Sequence, residues 1–166
     1  EHRSPHETDL PTMRARINAA VDALKAQAGK VPLQSGKVGA LGFCFGGSTV
    51  LELARSGTEL AGVVSLHGGL DTPAPAAADS VKTSILVLNG AEDRGTTAEN
   101  IAAFDAEMDA AGADWTFVNF SGAVHCFAEA DANRPPGCVY NERAAKAAWR
   151  MMRGFFSEAF GAPAKG

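Results

Sequence analysis

Apolar residues at Leu10, Met13, Ile17, Val21 and Leu24 recur every three or four positions, the spacing of one helical face. Asp9 predicts a cap at the start of that helix, Pro11 fits its first turn, and Gly29 predicts its end. A short apolar run at 38–42 predicts a strand, joined directly to a helix over about 46–55 that stops near Gly57. The next strand is expected at 61–66, ahead of a turn-rich segment containing Gly68, Gly69, Pro73 and Pro75. Between Ser84 and Asn89 the residues are Ile, Leu, Val and Leu, an unbroken apolar run that predicts a strand covered on both faces. Thr96 and Glu99 have the spacing of a capping box, and Ile101, Phe104 and Met108 mark the apolar stripe of the helix it opens, with Gly112 closing it. A strand at 115–120 and a helix from about residue 141, with Trp149, Met152, Phe156 and Phe160 on one face, complete the pattern.

Helices that alternate with apolar strands predict an α/β fold, with about four parallel strands joined by crossovers and flanked by helices. No internal repeat or low-complexity linker interrupts the alternation, and 166 residues suit a single domain. Parallel sheets gather reactive groups beyond the carboxyl ends of their strands. The segments just after residues 42, 66, 89 and 120 are therefore where chemistry is expected.

Composition narrows the function classes. A chain with 46% hydrophobic and 20% charged residues is an ordinary globular one, which excludes a disordered tail or a coiled coil. Its net charge of −4 is spread without blocks, so no basic surface is available to track phosphates, and nucleic acid is not an expected partner. No apolar run approaches the roughly 18 residues of a membrane span, and the polar start of the chain lacks the apolar core of a signal peptide. The three cysteines, Cys44, Cys126 and Cys138, are too few and too far apart for a zinc site or a disulfide scaffold. An odd count leaves a free thiol, which points to a reducing cytoplasm and against a Cys126–Cys138 disulfide. His2 and His6 match no metal site, and neither a metal nor another cofactor is expected.

After the first strand stands Gly42-Phe43-Cys44-Phe45-Gly46-Gly47, the G-x-nucleophile-x-G pattern of a sharp strand-to-helix turn with Cys in place of the more usual Ser. Glycines on both sides are expected because so tight a turn leaves no room for side chains. The thiol would sit at a helix N-terminus, where partial positive charge favours thiolate, and the Phe45 N–H would face an oxyanion formed on attack. Taken alone, the motif fits a buried structural cysteine equally well. Asp93 follows the third strand and His125 follows the fourth, so nucleophile, acid and base come in the chain order of α/β-hydrolases. Each lies at the end of its own strand, and all three can meet on one rim. Cys44 would attack a carbonyl, His125 would move the protons, and Asp93 would orient the imidazole, with activity rising through the histidine range.

Other residues near this rim carry two readings each. Glu92 beside Asp93 is expected to be a solvated loop residue. His67, after the second strand, either lines the pocket or is a hydrogen-bonded loop histidine. Phe43 and Phe45 are core or pocket wall, Arg94 is a substrate contact or a surface charge, and Cys126 is expected to be packing.

The segments 42–47 (GFCFGG), 88–97 (LNGAEDRGTT), 122–127 (GAVHCF) and 134–156 resemble the dienelactone hydrolases, cysteine-nucleophile members of the α/β-hydrolase fold. The resemblance runs from about residue 10 to near the end of the chain. It implies hydrolysis of carboxylic esters or lactones by a Cys44–His125–Asp93 triad through an acyl-thioester. A thioesterase or acyltransferase would use the same residues, and a non-catalytic module derived from a truncated hydrolase is the other reading. Two departures shape the expectation. Family members have further N-terminal strands, a loop that helps form the oxyanion hole and, in the dienelactone enzymes, a Glu that pairs with the resting cysteine. Without those strands, the strand at 38–42 becomes a sheet edge, which predicts a homodimer or association with the absent segment. Dienelactone-specific members also carry an Arg one turn beyond the catalytic His, where this chain has Glu129, so a generic ester is expected rather than an anionic lactone.

Overall fold

The computed structural model describes residues 9–34 and 36–161, so His2 and His6 lie outside the described residues. Strands β1 (Gly39–Phe43), β2 (Gly62–Leu66), β3 (Ile85–Gly90) and β4 (Trp115–Phe120) form a single parallel sheet in the order β1-β2-β3-β4. Around it pack α1 (Leu10–Lys25), α2 (Phe45–Arg55), α3 (Ala98–Ala110) and α4 (Glu142–Ala159). A small antiparallel hairpin, β5 (Asn133–Arg134) and β6 (Cys138–Val139), precedes α4. No helix among the described residues is long and apolar enough to cross a membrane.

The two central strands are buried along their whole length, as their unbroken apolar runs require. Alternate side chains feed two cores. Val63, Ile85 and Val87 join Val50, Leu51, Phe104 and Met108 under α2 and α3. Val64, Leu66, Leu86 and Leu88 join Ala144, Ala148 and Met152 under α4. In α4 the buried stripe is mainly alanine and Met152, while Phe155 and Phe156 pack at its margin and Trp149 stays partly exposed. Among the described residues β1 pairs only with β2, so it is a sheet edge, and Leu41 on it is 44% exposed.

Several expectations need correction. Asp9 is the N-cap residue of α1, yet its carboxylate accepts from the Thr12 hydroxyl rather than from backbone N–H groups. The capping box of α3 sits one residue later than Thr96 and Glu99. The Thr97 hydroxyl accepts from the Asn100 N–H at 3.2 Å, and Asn100 Oδ1 accepts from the Thr97 N–H at 3.0 Å. A hydroxyl and an amide thus close the box without a carboxylate.

Cys126 and Cys138 are joined in a disulfide, contrary to the reading from cysteine count, and Cys44 is the free thiol. The hairpin folds back onto the loop after β4, where the Val139 N–H donates to His125 O at 3.1 Å and brings the two sulfurs together. The argument for a reducing compartment from unpaired thiols thereby loses its ground. Composition also gave no sign of a buried charge cluster behind the sheet. There Arg55 bonds Glu52 and Glu107, each at 2.9 Å, and the Leu70 carbonyl, tying α2 to α3 and to the turn-rich segment.

Candidate active site

Four side chains project from the carboxyl edge of the sheet. Cys44 directly follows β1 as the N-cap residue of α2, His67 directly follows β2, Asp93 follows β3, and His125 lies in the loop after β4. Cys44 has φ 50°, in the left-handed region that costs a non-glycine residue strain and persists only where its surroundings fix it. The turn is closed so tightly that a Cβ at Gly42 would lie 2.1 Å from the Gly46 carbonyl. Beyond Cys44 the demand falls on Gly47, where a Cβ would lie 2.9 Å from Gly68 Cα, whereas a Cβ at Gly46 would meet nothing within 4 Å. On the opposite side Gly90 lets a neighbouring loop come close, since a Cβ there would lie 2.6 Å from Ala123 O. That contact brings the His125 loop against the Asp93 loop.

Cys44 Sγ and His125 Nε2 are 2.9 Å apart, and His125 Nδ1–H donates to Asp93 Oδ2 at 2.6 Å. The hydrogen bond to Asp93, then that to Cys44, raises the His125 pKa to about 10 against the opposing effect of burial. Burial works to raise the Asp93 carboxyl, but hydrogen bonds from His125 and from the Gly95 N–H outweigh it, and the net shift is downward. The Phe45 N–H is the first of α2 and has no acceptor within the helix, which leaves a donor beside the sulfur.

His67 is buried beneath this row. The Cys44 N–H lies 3.3 Å from His67 Nδ1, so Nδ1 presents its lone pair and the proton resides on Nε2. Burial, reinforced by the charge of His125, lowers the His67 pKa to about 4. The ring is therefore neutral at pH 7, and its Nε2 has no hydrogen-bond partner. That Nε2 faces Glu129 Oε1 at 3.7 Å, an imidazole opposite a carboxylate rather than an ion pair.

Glu129 was noted in the sequence only as a departure from the family pattern, yet its Oε1 also lies 3.6 Å from Cys44 Sγ. The Glu129 N–H bonds Cys126 O at 3.0 Å, and this turn returns the side chain to the thiol. Its place one turn beyond His125 was the available signal.

The remaining candidates separate clearly. Phe43 packs against His67 and Trp149, and Phe45 is 47% exposed at the start of α2, lining an apolar groove with Met13, Ile17 and Thr49. Arg94 and Glu92 are exposed, and among the described residues no hydrogen bond or ion pair brings either side chain to Cys44 or His125. Cys126 is buried and disulfide-bonded. Two clusters place possible metal donors within 4.8 Å of one another, Cys44 with His125 and Cys126, and Cys44 with His67 and Glu129. Cys126 Sγ is committed to its disulfide, and His67 Nε2 carries a proton, so each cluster lacks a free third donor.

The chain matches the model of the dienelactone hydrolase family over residues 6–160. It is 33% identical over 154 residues to an uncharacterized protein of Caenorhabditis elegans, covering 89% of this chain and 94% of that protein. Among solved structures, the dienelactone hydrolase-like promiscuous phosphotriesterase P91, from metagenomic libraries, is 39% identical with a TM-score of 0.85. That match covers 92% of this chain but 64% of P91, so the chain spans under two thirds of that relative's length. The carboxylesterase Cest-2923 of Lactobacillus plantarum shares the fold at 14% identity, with a TM-score of 0.70 over the whole chain and 72% of that protein. With its parallel sheet and flanking helices, the chain has the α/β-hydrolase fold and belongs to the dienelactone hydrolase family.

Proposed function

We propose that this protein hydrolyses carboxylic esters or lactones with Cys44 as nucleophile, His125 as proton carrier and Asp93 as the group that orients it. The observation that carries the reading is the unbroken row Sγ–Nε2–Nδ1–Oδ2, with links of 2.9 and 2.6 Å, at the N-terminus of α2. In the attacking form the proton shared by Cys44 and His125 is on Nε2, 2.9 Å from the sulfur. Attack forms a carbon–sulfur bond and an oxyanion facing the Phe45 N–H. Collapse then breaks the ester C–O bond as His125 gives its proton to the departing alkoxide. The imidazole, now neutral, takes a proton from water as that water attacks the thioester. Loss of the carboxylic acid returns the thiolate and the imidazolium.

This cycle alters the expected pH profile. With His125 raised to about 10, protonation of the departing alkoxide is lost as pH rises through about 10, instead of activity being switched on through the ordinary histidine range. P91 is described as a phosphotriesterase, and a triester phosphorus is an electrophile for the same thiolate, so neutral phosphotriesters join the first substrates to assay. The test is turnover of p-nitrophenyl acetate by the parent and by Cys44→Ala. The expected result is loss to the uncatalysed rate in the variant. Equal rates in both proteins would favour a non-catalytic module.

The exposed β1 edge, with Leu41 and Phe45 beside it, supports a second part of the reading, that a copy of the chain or an additional N-terminal segment covers it. Sedimentation equilibrium of the 166-residue chain at micromolar concentration checks this, since a lone, cooperatively unfolding monomer would show that the edge needs no cover.

A further inference from the structure

We propose that Glu129 is a charge filter, which selects against substrates bearing negative charge near the scissile carbonyl and favours cationic ones. The inference rests on Cys44 being the attacking atom, as argued above, and adds the charge class of the substrate.

Glu129 Oε1 is 3.6 Å from Cys44 Sγ, and the side chain is 35% exposed, so an incoming molecule reaches it. Among the described residues no Lys or Arg pairs with it, and the imidazole facing its carboxylate is that of His67, with Nε2 at 3.7 Å. His67 stays neutral, because burial holds its pKa at about 4. The positive charge of His125 is already matched by Asp93 at 2.6 Å. The Arg134 guanidinium, on the β5–β6 hairpin that follows Glu129, is directed at Cys138 Sγ, 3.3 Å away.

The reacting carbon must approach Sγ to about 3–3.5 Å. A charge two or three bonds farther along the acyl chain then lies within roughly 5–7 Å of the Glu129 carboxylate. At that separation, in a partly wet site, one unit charge changes a rate by about tenfold. Repulsion disfavours an acyl carboxylate, and attraction favours an acyl ammonium.

The experiment compares three acyl groups of similar size as p-nitrophenyl esters: butyrate, the mono-ester of succinate, and 4-(trimethylammonio)butyrate. In parallel, Cys44 is labelled with the 2-sulfonatoethyl and 2-(trimethylammonium)ethyl methanethiosulfonates and with iodoacetamide. The parent and Glu129→Gln are each read as rate ratios, anionic to neutral and cationic to neutral. In the variant the anionic ratio should rise about tenfold and the cationic ratio should fall by a similar factor. Ratios unchanged within about twofold overturn the proposal, even if Glu129→Gln slows every reagent alike, because uniform slowing reports only on how the thiol is held. Should the variant fail to fold, the parent decides alone. Its cationic-to-anionic labelling ratio must fall as NaCl rises from 0.01 to 1 M, since salt screens exposed charge, and a flat ratio overturns the filter. Labelling needs no hydrolysis. Charge-dependent labelling with no ester turnover would sink the proposed reaction and leave the filter standing.

Discussion

His67 and His125 each follow a strand of the same sheet, and their ring centroids are 5.1 Å apart. Their electrostatic surroundings have opposite effects. His125 has a partner at each nitrogen, Asp93 at 2.6 Å and Cys44 at 2.9 Å, and its pKa rises to about 10. His67 is 1% exposed, sits between Phe43 and Phe127, has an unpartnered Nε2, and falls to about 4. Position after a strand brings a histidine to the rim, but the groups its nitrogens meet decide whether it carries a proton or supports the backbone. The buried ring offers its Nδ1 to the Cys44 N–H, and so helps hold the strained turn that presents the sulfur.

The largest expected effect breaks the comparison at His125. Replacing His125 with Ala should lower kcat for p-nitrophenyl acetate by about 10³-fold, the scale of a lost general acid–base. His67→Gln, which keeps an acceptor near the Cys44 N–H, should lower it by about tenfold. Equal losses would mean that both histidines take part in proton transfer and that the contrast in their surroundings has been misread. A smaller effect sharpens the contrast. Asp93→Asn removes the largest cause of the upward shift and should cut kcat by about 10²-fold, the lower end of what general acid–base catalysis contributes. In the same variant, the His125 ring protons followed by NMR should titrate well below pH 10. A His125 that still titrates near 10 would assign the shift to Cys44 instead.

The contrast between the two histidines was only half legible in the sequence. Cys44, Asp93 and His125 could be read because each stands just after an apolar run, and runs such as 84–89 identify themselves by composition. β2 and β3 were legible for the same reason, as strands buried on both faces. What escaped depends on segments meeting across the fold. Glu129 reaches Cys44 from 85 positions away, through a turn whose closure no local pattern announces. The Cys126–Cys138 pairing needs a hairpin whose strands are two residues each, too short for alternation to reveal. The ion pairs of Arg55 with Glu52 and Glu107 carry no local signal for the same reason, since the link to Glu107 joins α2 to α3. His67 kept two readings because the identity of its neighbours, which sets its pKa, is a tertiary property.

The smallest effect is on stability, and here the two histidines pull in opposite directions. An unfolded histidine titrates near 6.5. The folded pKa of His125 is higher, about 10, so between 6.5 and 10 the folded state binds more protons than the unfolded one. Its contribution is complete below about pH 6.5 and is lost as pH climbs through about 10. The folded pKa of His67 is lower, about 4, so between 4 and 6.5 the unfolded state binds more protons. Its contribution is complete above about 6.5 and is lost as pH falls toward 4. Stability limited by this pair should therefore peak near pH 6.5 and decline on both sides, by at most about 1.4 kcal/mol per pH unit for each group. Urea unfolding at intervals from pH 4 to 10 measures the peak. His67→Gln should flatten its acidic side alone and His125→Ala its alkaline side alone. If either variant flattens both sides, the two rings titrate as one coupled unit, and the separate roles drawn from their surroundings do not hold.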